Sequence, residues 1–219
     1  MSRSEVLEEI RTTGLIAILR GYAGRAVPSI VESLIAGGCR AVEVTMNSES
    51  AVDLIAELAE RFKGRAQIGA GTVLSPQDAE HAIRAGAAFL VAPNLNPQVL
   101  QVANTKGCAV FPGAMTPTEI EQAYSLGADA VKVFPSDVLG PAYIRAVRAP
   151  LPHIPLVPTG GVSQENAADY IRAGAIAVGV GSHLVPKAAT DGTMPQLVQT
   201  ATEEFLAVIQ SAKRALSPS

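Results

Sequence analysis

The chain has 219 residues and a formal net charge of -3; 48% of its residues are hydrophobic and 17% are charged. This composition excludes a disordered chain, and the slightly acidic balance without a basic run argues against a nucleic-acid surface. The longest apolar runs, such as LIAIL, have the length of a strand, so no membrane span is expected. With neither a nucleic-acid surface nor a membrane span indicated, we expect small molecules as partners.

The N-terminal segment MSRSEVLEEIRTTG is polar and predicts a helix rather than a signal peptide. After it one unit recurs, a helix followed by glycine and an apolar strand, as in LIAGGCRAVEV, IRAGAAFLVAP and IRAGAIAVGVG. Glycine at that point is typical of a left-handed helix C-cap. Two cysteines, Cys39 and Cys108, each begin a strand after a glycine, which indicates buried thiols and a cytoplasmic protein.

Eight strands alternate with helices, which predicts a parallel sheet. The predicted strands are 15–20, 41–45, 67–72, 89–92, 108–112, 130–134, 155–158 and 177–180. The helices after them lie near 26–37, 50–62, 76–85, 97–106, 117–126, 141–148, 165–173 and 197–215. Three begin with a capping residue before proline, at Ser75, Asn96 and Thr116.

Eight such units fit a closed α/β fold, a (β/α)₈ TIM barrel with an N-terminal helix, as a single domain over residues 1–219. An open doubly wound sheet is the alternative. That fold favours a G-x-G-x-x-G turn after the first strand, whereas this chain has LRGYAGR.

Two charged residues occupy the middle of apolar strands, Glu43 in AVEVT and Lys132 in AVKVF. Because side chains alternate along a strand, both face the interior if the flanking valines pack under the helices. Burial lowers the pKa of a lysine, and a neutral amine can attack a ketone to form a Schiff base, with Glu43 as the proton carrier. The structural alternative is an ion pair that only holds the barrel together.

Further candidates lie where strands end, at the face where barrels carry their chemistry. Arg20 and Thr72 lie at the rims of the first and third strands. PTGGV and GVGSHL end strands seven and eight, where glycine amides often bind phosphate; these turns contain Gly160, Gly161, Gly181 and Ser182. Tight turns that merely require glycine are the alternative explanation.

Metal chemistry has little support in the sequence. His81 falls in a helix and His153 in a loop, while His183 follows the glycine turn and could touch an anion. No pair of histidines or carboxylates has metal-ligand spacing. We therefore expect no metal and no other cofactor.

From end to end the chain resembles the 2-keto-3-deoxy-6-phosphogluconate (KDPG) / 4-hydroxy-2-oxoglutarate (KHG) aldolase family. The motifs that carry the resemblance are GLIAILRG, AVEVTMNS, IGAGTVLSPQDA, VAPNLNP, FPGAMTPTE, VKVFPSDVLGPAYIRAV, and VPTGGV followed by GVGS. It implies a TIM barrel, a homotrimer, and metal-free cleavage of the substrate to pyruvate and D-glyceraldehyde 3-phosphate.

The resemblance also implies site residues. Lys132 matches the Schiff-base lysine and Glu43 the general acid/base. Thr72 matches the threonine beside the pyruvyl carboxylate, and Pro93 lies in the segment that lines that pocket. The residues that match the phosphate site are Gly160, Gly161 and Ser182.

One position departs from the family pattern. Many members carry a carboxylate-binding arginine where this chain has Asn47, and we assign that role to Arg20 instead. The segment MNS after the second strand, and FPS with GP after the sixth, resemble those of the phosphogalactonate branch. Thr159, in contrast, is typical of the phosphogluconate type. A phosphogalactonate aldolase is therefore the alternative function, and 4-hydroxy-2-oxoglutarate, which gives pyruvate and glyoxylate, is a possible second substrate.

Two other classes of barrel protein fit the sequence less well than an aldolase. Decarboxylases on this barrel use D-x-K-x-x-D, but here Asp129 is followed by Lys132 and then by Asp137 five residues later. A non-catalytic phosphate-binding barrel would have no reason to keep both Glu43 and Lys132 inside.

Overall fold

The computed structural model describes residues 2–216. Nine α-helices lie in this range. They are α1 Arg3–Thr13, α2 Val27–Ala36, α3 Ala51–Arg61, α4 Pro76–Arg84, α5 Pro97–Lys106, α6 Pro117–Ser125, α7 Ser136–Arg148, α8 Ala167–Arg172 and α9 Pro195–Arg214. Short 3₁₀ helices cover Gly24–Ala26 and Lys187–Ala189.

Nine strand segments alternate with these helices over the same residues. They are β1 Leu15–Leu19, β2 Ala41–Thr45, β3 Gln67–Gly71, β4 Phe89–Val91, β5 Ala109–Phe111, β6 Gly113–Ala114, β7 Val131–Val133, β8 Leu156–Pro158 and β9 Val178–Val180. All their pairings are parallel, in a six-stranded sheet of order β5-β4-β3-β2-β1-β9 and a three-stranded sheet of order β6-β7-β8. The predicted α/β class with a parallel sheet is confirmed, and the sheet forms a half-barrel.

The helix starts follow from local hydrogen bonds. The side chains of Ser75, Asn96 and Thr116 accept from backbone amides of α4, α5 and α6, and a proline occupies the first turn of each. These bonds satisfy amides that a helix leaves unpaired at its start. The three predicted caps are confirmed, and Ser2 with Glu5 adds a capping box on α1.

Strand parity separates two hydrophobic clusters. Val42, Val44, Val131 and Val133 belong to the outer cluster, which packs against the helices. The inner cluster draws on both sheets and on α1; its members are Val6, Ile10, Ile16, Ala41, Phe89, Val91, Ala109, Phe111, Ala130, Val157, Ile176 and Ala177. Residues on the parity of Glu43 and Lys132 therefore point inward, as predicted.

Helix α1 covers the end of the strands opposite the candidate site. Its Val6 and Ile10 pack into the inner cluster, and Arg3 donates to Asp129 with an Nη2–Oδ2 distance of 2.7 Å. Asp129 in turn accepts from the Val110 amide. Asp129 is thus held at the α1 end of the fold, which removes the carboxylate that the decarboxylase pattern would need beside Lys132.

The structure differs from the prediction in two elements. The fifth predicted strand, 108–112, is interrupted at Pro112 and continues as β6 in the other sheet. Helix α7 begins at Ser136 rather than at 141, because two helical pieces join across a non-helical Gly140. No helix within residues 2–216 is long and apolar enough to span a bilayer. The single domain 1–219 stays a prediction, and Met1 and residues 217–219 lie outside the described residues.

Candidate active site

A cavity of about 390 Å³ opens at the carboxyl ends of the strands. It brings together seven of the ten residues singled out in the sequence: Arg20, Lys132, Thr159, Gly160, Gly161, Gly181 and Ser182. These residues come from the ends of β1, β7, β8 and β9 and the loops after them. Parallel strands place their carboxyl ends on one edge, so residues far apart in the chain meet here.

Lys132 is the buried cation of this cavity. Its side chain is 2% exposed, and its Nζ lies 4.9 Å from the centroid of the Phe134 ring. Burial, assisted by the positive charge of Arg20, lowers the pKa of Lys132 below its ordinary value, although the negative charge of Glu43 opposes this. The free amine is therefore more accessible at neutral pH than in an ordinary lysine.

Glu43 is buried even more completely, with 1% of its surface exposed. Burial raises the pKa of Glu43, against the opposing charges of Lys132 and Arg20. Its Oε1 has no hydrogen-bond partner among residues 2–216. A buried carboxylate oxygen without a partner is costly to a fold, and such perturbed groups in a cleft are candidates for proton transfer.

The third strand makes room for this carboxylate. A Cβ on Gly71 would lie 1.7 Å from Oε1 of Glu43, and one on Gly69 would lie 2.4 Å from the Phe89 ring. Neither glycine has a positive φ, so glycine is required at these positions for steric space and not for backbone conformation. The glycines of QIGAG thus fit the side chains of the neighbouring strands.

We expect Gly71→Ala to lower the aldol cleavage that the resemblance implies on the order of 10²-fold, since the methyl would displace the Glu43 carboxylate by an ångström or more. Gly24→Ala is the matched control, because its Cβ would meet only Leu54 at 3.9 Å. Activity and thermal midpoints of both variants are to be measured. Full activity in Gly71→Ala would show that the carboxylate does not need this position.

Arg20 and Thr72 meet at the rim. Arg20 is exposed, and its Nη2 donates to Thr72 Oγ1 at 3.5 Å. Thr72 has a φ of 56°, a left-handed conformation that is uncommon for threonine. Backbone outliers of this kind cluster at functional sites because the surrounding fold has to hold them in place. The two residues present a guanidinium and a hydroxyl side by side, a combination suited to a carboxylate.

Thr159 faces the cavity from the end of β8. Its amide donates to Val133 O at 3.0 Å and to Ser136 Oγ at 3.0 Å. Its hydroxyl occupies the space beside Gly179, where a Cβ would lie 2.4 Å from Thr159 Oγ1. The backbone of Thr159 is therefore fixed, and its hydroxyl stands at a defined place on the cavity wall.

The glycine turns form the far end of the cavity. Gly160 and Gly161 have φ values of 96° and 64°, which side-chain-bearing residues rarely adopt, and Ser182 is exposed beside Gly181. A Cβ on Gly161 would also lie 2.3 Å from Asp137 Cβ. The turn at Gly160 and Gly161 needs glycine for its conformation as well as for any anion it binds, so the tight-turn explanation holds there too; Gly181 has no positive φ, and a Cβ on it would meet only Ile18 O at 3.8 Å.

Three predicted residues are not among those lining this cavity. Glu43 lies deeper, Thr72 reaches the site through its contact with Arg20, and Pro93 lines a neighbouring cavity of about 370 Å³. Phe134 lines both cavities, so it forms the wall between them. The structure places Pro93 behind that wall.

The structure adds residues that the sequence reasoning missed. Ile18 and Tyr22 line the cavity together with Arg20. The interior parity of β1, which runs through Ile16, was a signal that could have identified Ile18, whereas Tyr22 lies beyond the turn at Gly21, where strand parity no longer applies. His183, considered as an anion contact, also lines the cavity. Within residues 2–216 no group of three or more His, Cys, Asp or Glu side chains is placed to share a metal ion.

Comparisons with known proteins agree with the resemblance. Residues 6–199 match the family model described as KDPG and KHG aldolase. A 2-dehydro-3-deoxy-6-phosphogalactonate aldolase of Escherichia coli (strain K12) is 40% identical over 78% of this chain and 83% of its own. A 2-dehydro-3-deoxy-phosphogluconate aldolase of Treponema pallidum is 36% identical over 83% of this chain and 85% of its own.

A solved structure adds chemical information about a neighbour. It is the KDPG aldolase of Legionella pneumophila with pyruvate captured at low pH as a covalent carbinolamine intermediate. It is 25% identical, covers 90% of this chain and 96% of its own, and superposes with a TM-score of 0.83. A carbinolamine is the adduct that an amine forms with a ketone, which is the chemistry expected of Lys132.

Proposed function

The chain belongs to the KDPG and KHG aldolase family, and from this premise we propose that it is a Schiff-base (class I) aldolase for 2-keto-3-deoxy-6-phosphogluconate. The products would be pyruvate and D-glyceraldehyde 3-phosphate. The observation that carries the proposal is Lys132, a buried lysine with a lowered pKa that lines the cavity. An ion pair with only a structural role would not require that the amine open onto a ligand-sized space.

The reaction begins with capture of the keto acid. The neutral amine of Lys132 attacks the C2 ketone, and a proton moves to the carbonyl oxygen to give a carbinolamine. Glu43, whose raised pKa favours its protonated form, donates the proton with which the hydroxyl leaves as water. The product is an iminium ion, and no metal or other cofactor takes part.

Cleavage then uses the iminium as the electron sink. Glu43, now a carboxylate, takes the proton of the C4 hydroxyl, the C3–C4 bond breaks, and its electrons form an enamine. The phosphorylated aldehyde leaves. Protonation of the enamine at C3 and hydrolysis release pyruvate and regenerate Lys132.

The remaining site residues would bind the two ends of the substrate. Arg20 and Thr72 take the carboxylate, Pro93 supports this pocket from the far side of the Phe134 wall, and the Thr159 hydroxyl faces the substrate hydroxyl at C4. The phosphate end is assigned to Gly160, Gly161, Gly181 and Ser182. This assignment is supported by their shared cavity with Lys132.

The substrate is tested by parallel assays. Cleavage of the phosphogluconate-derived, phosphogalactonate-derived and hydroxyoxoglutarate substrates should be compared by kcat/KM on one preparation. We expect the phosphogluconate epimer to be preferred because of Thr159. Since both epimers are represented among the relatives, a higher kcat/KM for the phosphogalactonate epimer would establish the alternative, a 2-keto-3-deoxy-6-phosphogalactonate aldolase.

We propose that the two sheets form one eight-stranded barrel. Three contacts support this: the Ile176 amide donates to Leu156 O at 3.0 Å, the Lys132 amide donates to Pro112 O at 2.9 Å, and a bridge pairs Thr159 with Gly179. We further propose a cytoplasmic homotrimer. Two buried free thiols, Cys39 and Cys108, support a reducing compartment, and the mass in solution tests the trimer.

The acid limb of adduct formation should lie below the ordinary lysine pKa of 10.5. Only the neutral amine attacks, so trapping of pyruvate by cyanoborohydride should fall as pH drops through the folded pKa of Lys132. Burial lowers this pKa, so the fall should begin well below 10.5. A trapping rate that continued to rise up to pH 10.5 would contradict the assignment.

Two treatments separate the aldolase from the competing classes. Borohydride with pyruvate should abolish activity irreversibly, and EDTA should leave activity unchanged. A decarboxylase would keep its activity after treatment with borohydride and pyruvate. A non-catalytic phosphate-binding barrel would have no cleavage activity to lose.

A further inference from the structure

Two hydrogen-bonded hydroxyl groups, those of Thr45 and Ser48, form a hydroxyl chain that links the carboxyl ends of β1 and β2 and the loops after them. Thr45 Oγ1 donates to Leu19 O at 3.4 Å and contacts Ser48 Oγ at 3.0 Å, and Ser48 Oγ accepts from the Gly21 amide at 3.1 Å. Because the Thr45 hydroxyl donates its hydrogen to Leu19 O, the Ser48 hydroxyl donates to Thr45 Oγ1. Each hydrogen of the hydroxyl chain therefore has one acceptor.

The two ends of the hydroxyl chain contact the peptide groups on either side of Arg20. Leu19 supplies the carbonyl before it, and Gly21 supplies the amide after it. Gly21 has a φ of 70°, so the backbone turns sharply directly after Arg20. The hydroxyl chain fixes both peptide groups that flank Arg20 and therefore the direction in which its side chain leaves the backbone.

Arg20 needs such support because its own contacts are weak. Its side chain is exposed, and among residues 2–216 its side-chain hydrogen bond is the one to Thr72 Oγ1, at the 3.5 Å limit of such bonds. An exposed arginine on a loop loses considerable side-chain entropy when a ligand orders it. A loop fixed in advance lowers the part of that cost that comes from the backbone.

We propose that Ser48 and Thr45 are positioning residues for the Arg20 carboxylate clamp, an inference that rests on the proposed function. Thr45 is fully buried at the end of β2, and Ser48 is half-buried in the loop after it. Neither lines the cavity. They act through the backbone at Leu19 and Gly21, and the ligand they serve is the carboxylate of a 2-keto acid.

The test measures pyruvate capture by cyanoborohydride trapping, followed as the mass of the intact protein. Ser48→Ala should raise the half-saturating pyruvate concentration about 5-fold, the factor for one hydrogen bond of about 1 kcal/mol, and leave the limiting trapping rate unchanged. Ser48→Thr, which keeps the hydroxyl, should restore the wild-type value. Ser29→Ala is the matched control, since it also removes one hydroxyl-to-backbone bond, to Gly192 O, away from the cavity.

A double-mutant cycle distinguishes positioning from a general structural role. Arg20→Ala should raise the half-saturating concentration roughly 10- to 100-fold, and adding Ser48→Ala to it should cause no further rise. An equal rise in both backgrounds, or a change in the limiting rate alone, would overturn the inference. Failure of the proposed function would appear differently, as a wild-type protein that traps no pyruvate.

Discussion

We expect Lys132→Ala to abolish covalent capture of pyruvate and to lower aldol cleavage by more than about 10³-fold, the scale on which enzymes lose rate with their nucleophile. The reason is that, within residues 2–216, no other lysine lines the cavity: its other basic side chains are those of Arg20 and His183. Arginine remains protonated and cannot serve as a nucleophile. Borohydride trapping with intact mass and peptide mapping measures the result.

A matched control is available in Lys213. Burial and the charge of Arg11 also lower the pKa of Lys213, but its amine donates to backbone oxygens of Arg11 and Thr12 in the last turn of α1, away from the candidate site. Lys213→Ala should keep both trapping and cleavage. Lys132→Met serves as a second variant that fills the space with an apolar chain. An adduct that survives in Lys132→Met would remove the proposed nucleophile.

We expect Glu43→Gln to lower aldol cleavage by roughly 10²- to 10⁴-fold, the usual contribution of a general acid–base group. Glutamine has almost the same shape but cannot carry the proton, so the loss reports proton transfer rather than packing. Exchange of the pyruvate methyl hydrogens with D₂O should fall in parallel, because enamine formation and reprotonation pass through the same group. Proton NMR of pyruvate follows this exchange directly.

Two further variants define the role of this carboxylate. Glu43→Asp keeps the acid but withdraws it by one methylene, so cleavage should lie between wild type and Glu43→Gln. Glu57→Gln is the control for loss of a carboxylate, since Glu57 is exposed and pairs only loosely with Arg61 at 3.9 Å. If Glu43→Gln exchanged the methyl hydrogens at the wild-type rate, another group would have to carry the proton.

The arrangement of Glu43 and Lys132 costs the fold stability, which is expected where function demands it. Each charge is desolvated, and burial shifts the pKa of each toward its neutral form. The unpartnered Oε1 of Glu43 adds to that cost. An arrangement optimised only for stability would satisfy this oxygen or replace the pair by apolar residues. This cost is why we propose that the two groups serve proton transfer at a reacting carbon rather than structural support.

Much of the fold was predictable because it depends on local rules. Helix caps before proline, glycine after helices and alternation along strands act over a few residues, so Ser75, Asn96 and Thr116 could be identified directly. Parity placed Glu43 on the same side as Ala41 and Lys132 on the same side as Ala130, and both alanines belong to the inner cluster. The rule that strand ends carry the chemistry then selected most of the cavity wall.

Other features depend on which strands are neighbours, and no local pattern gives that. The break at Pro112 arises because proline has no amide to donate to a ladder, yet the strand has to continue into a second sheet. Pro93 falls behind Phe134 because a single ring separates two cavities. These outcomes follow from distances of a few ångströms between residues that are far apart in the chain.

The sequence by itself determined the parallel α/β class, the inward direction of Glu43 and Lys132, and the family, because each depends on periodicity or on ordered motifs. Only the tertiary structure decided that Gly71 leaves space for the Glu43 carboxylate, that Thr72 contacts Arg20, and that Ser48 ties the loop beside it. The physical reason is that packing and hydrogen bonds between loops act through space at short range. Contacts of that kind exist only once the strands have been brought together.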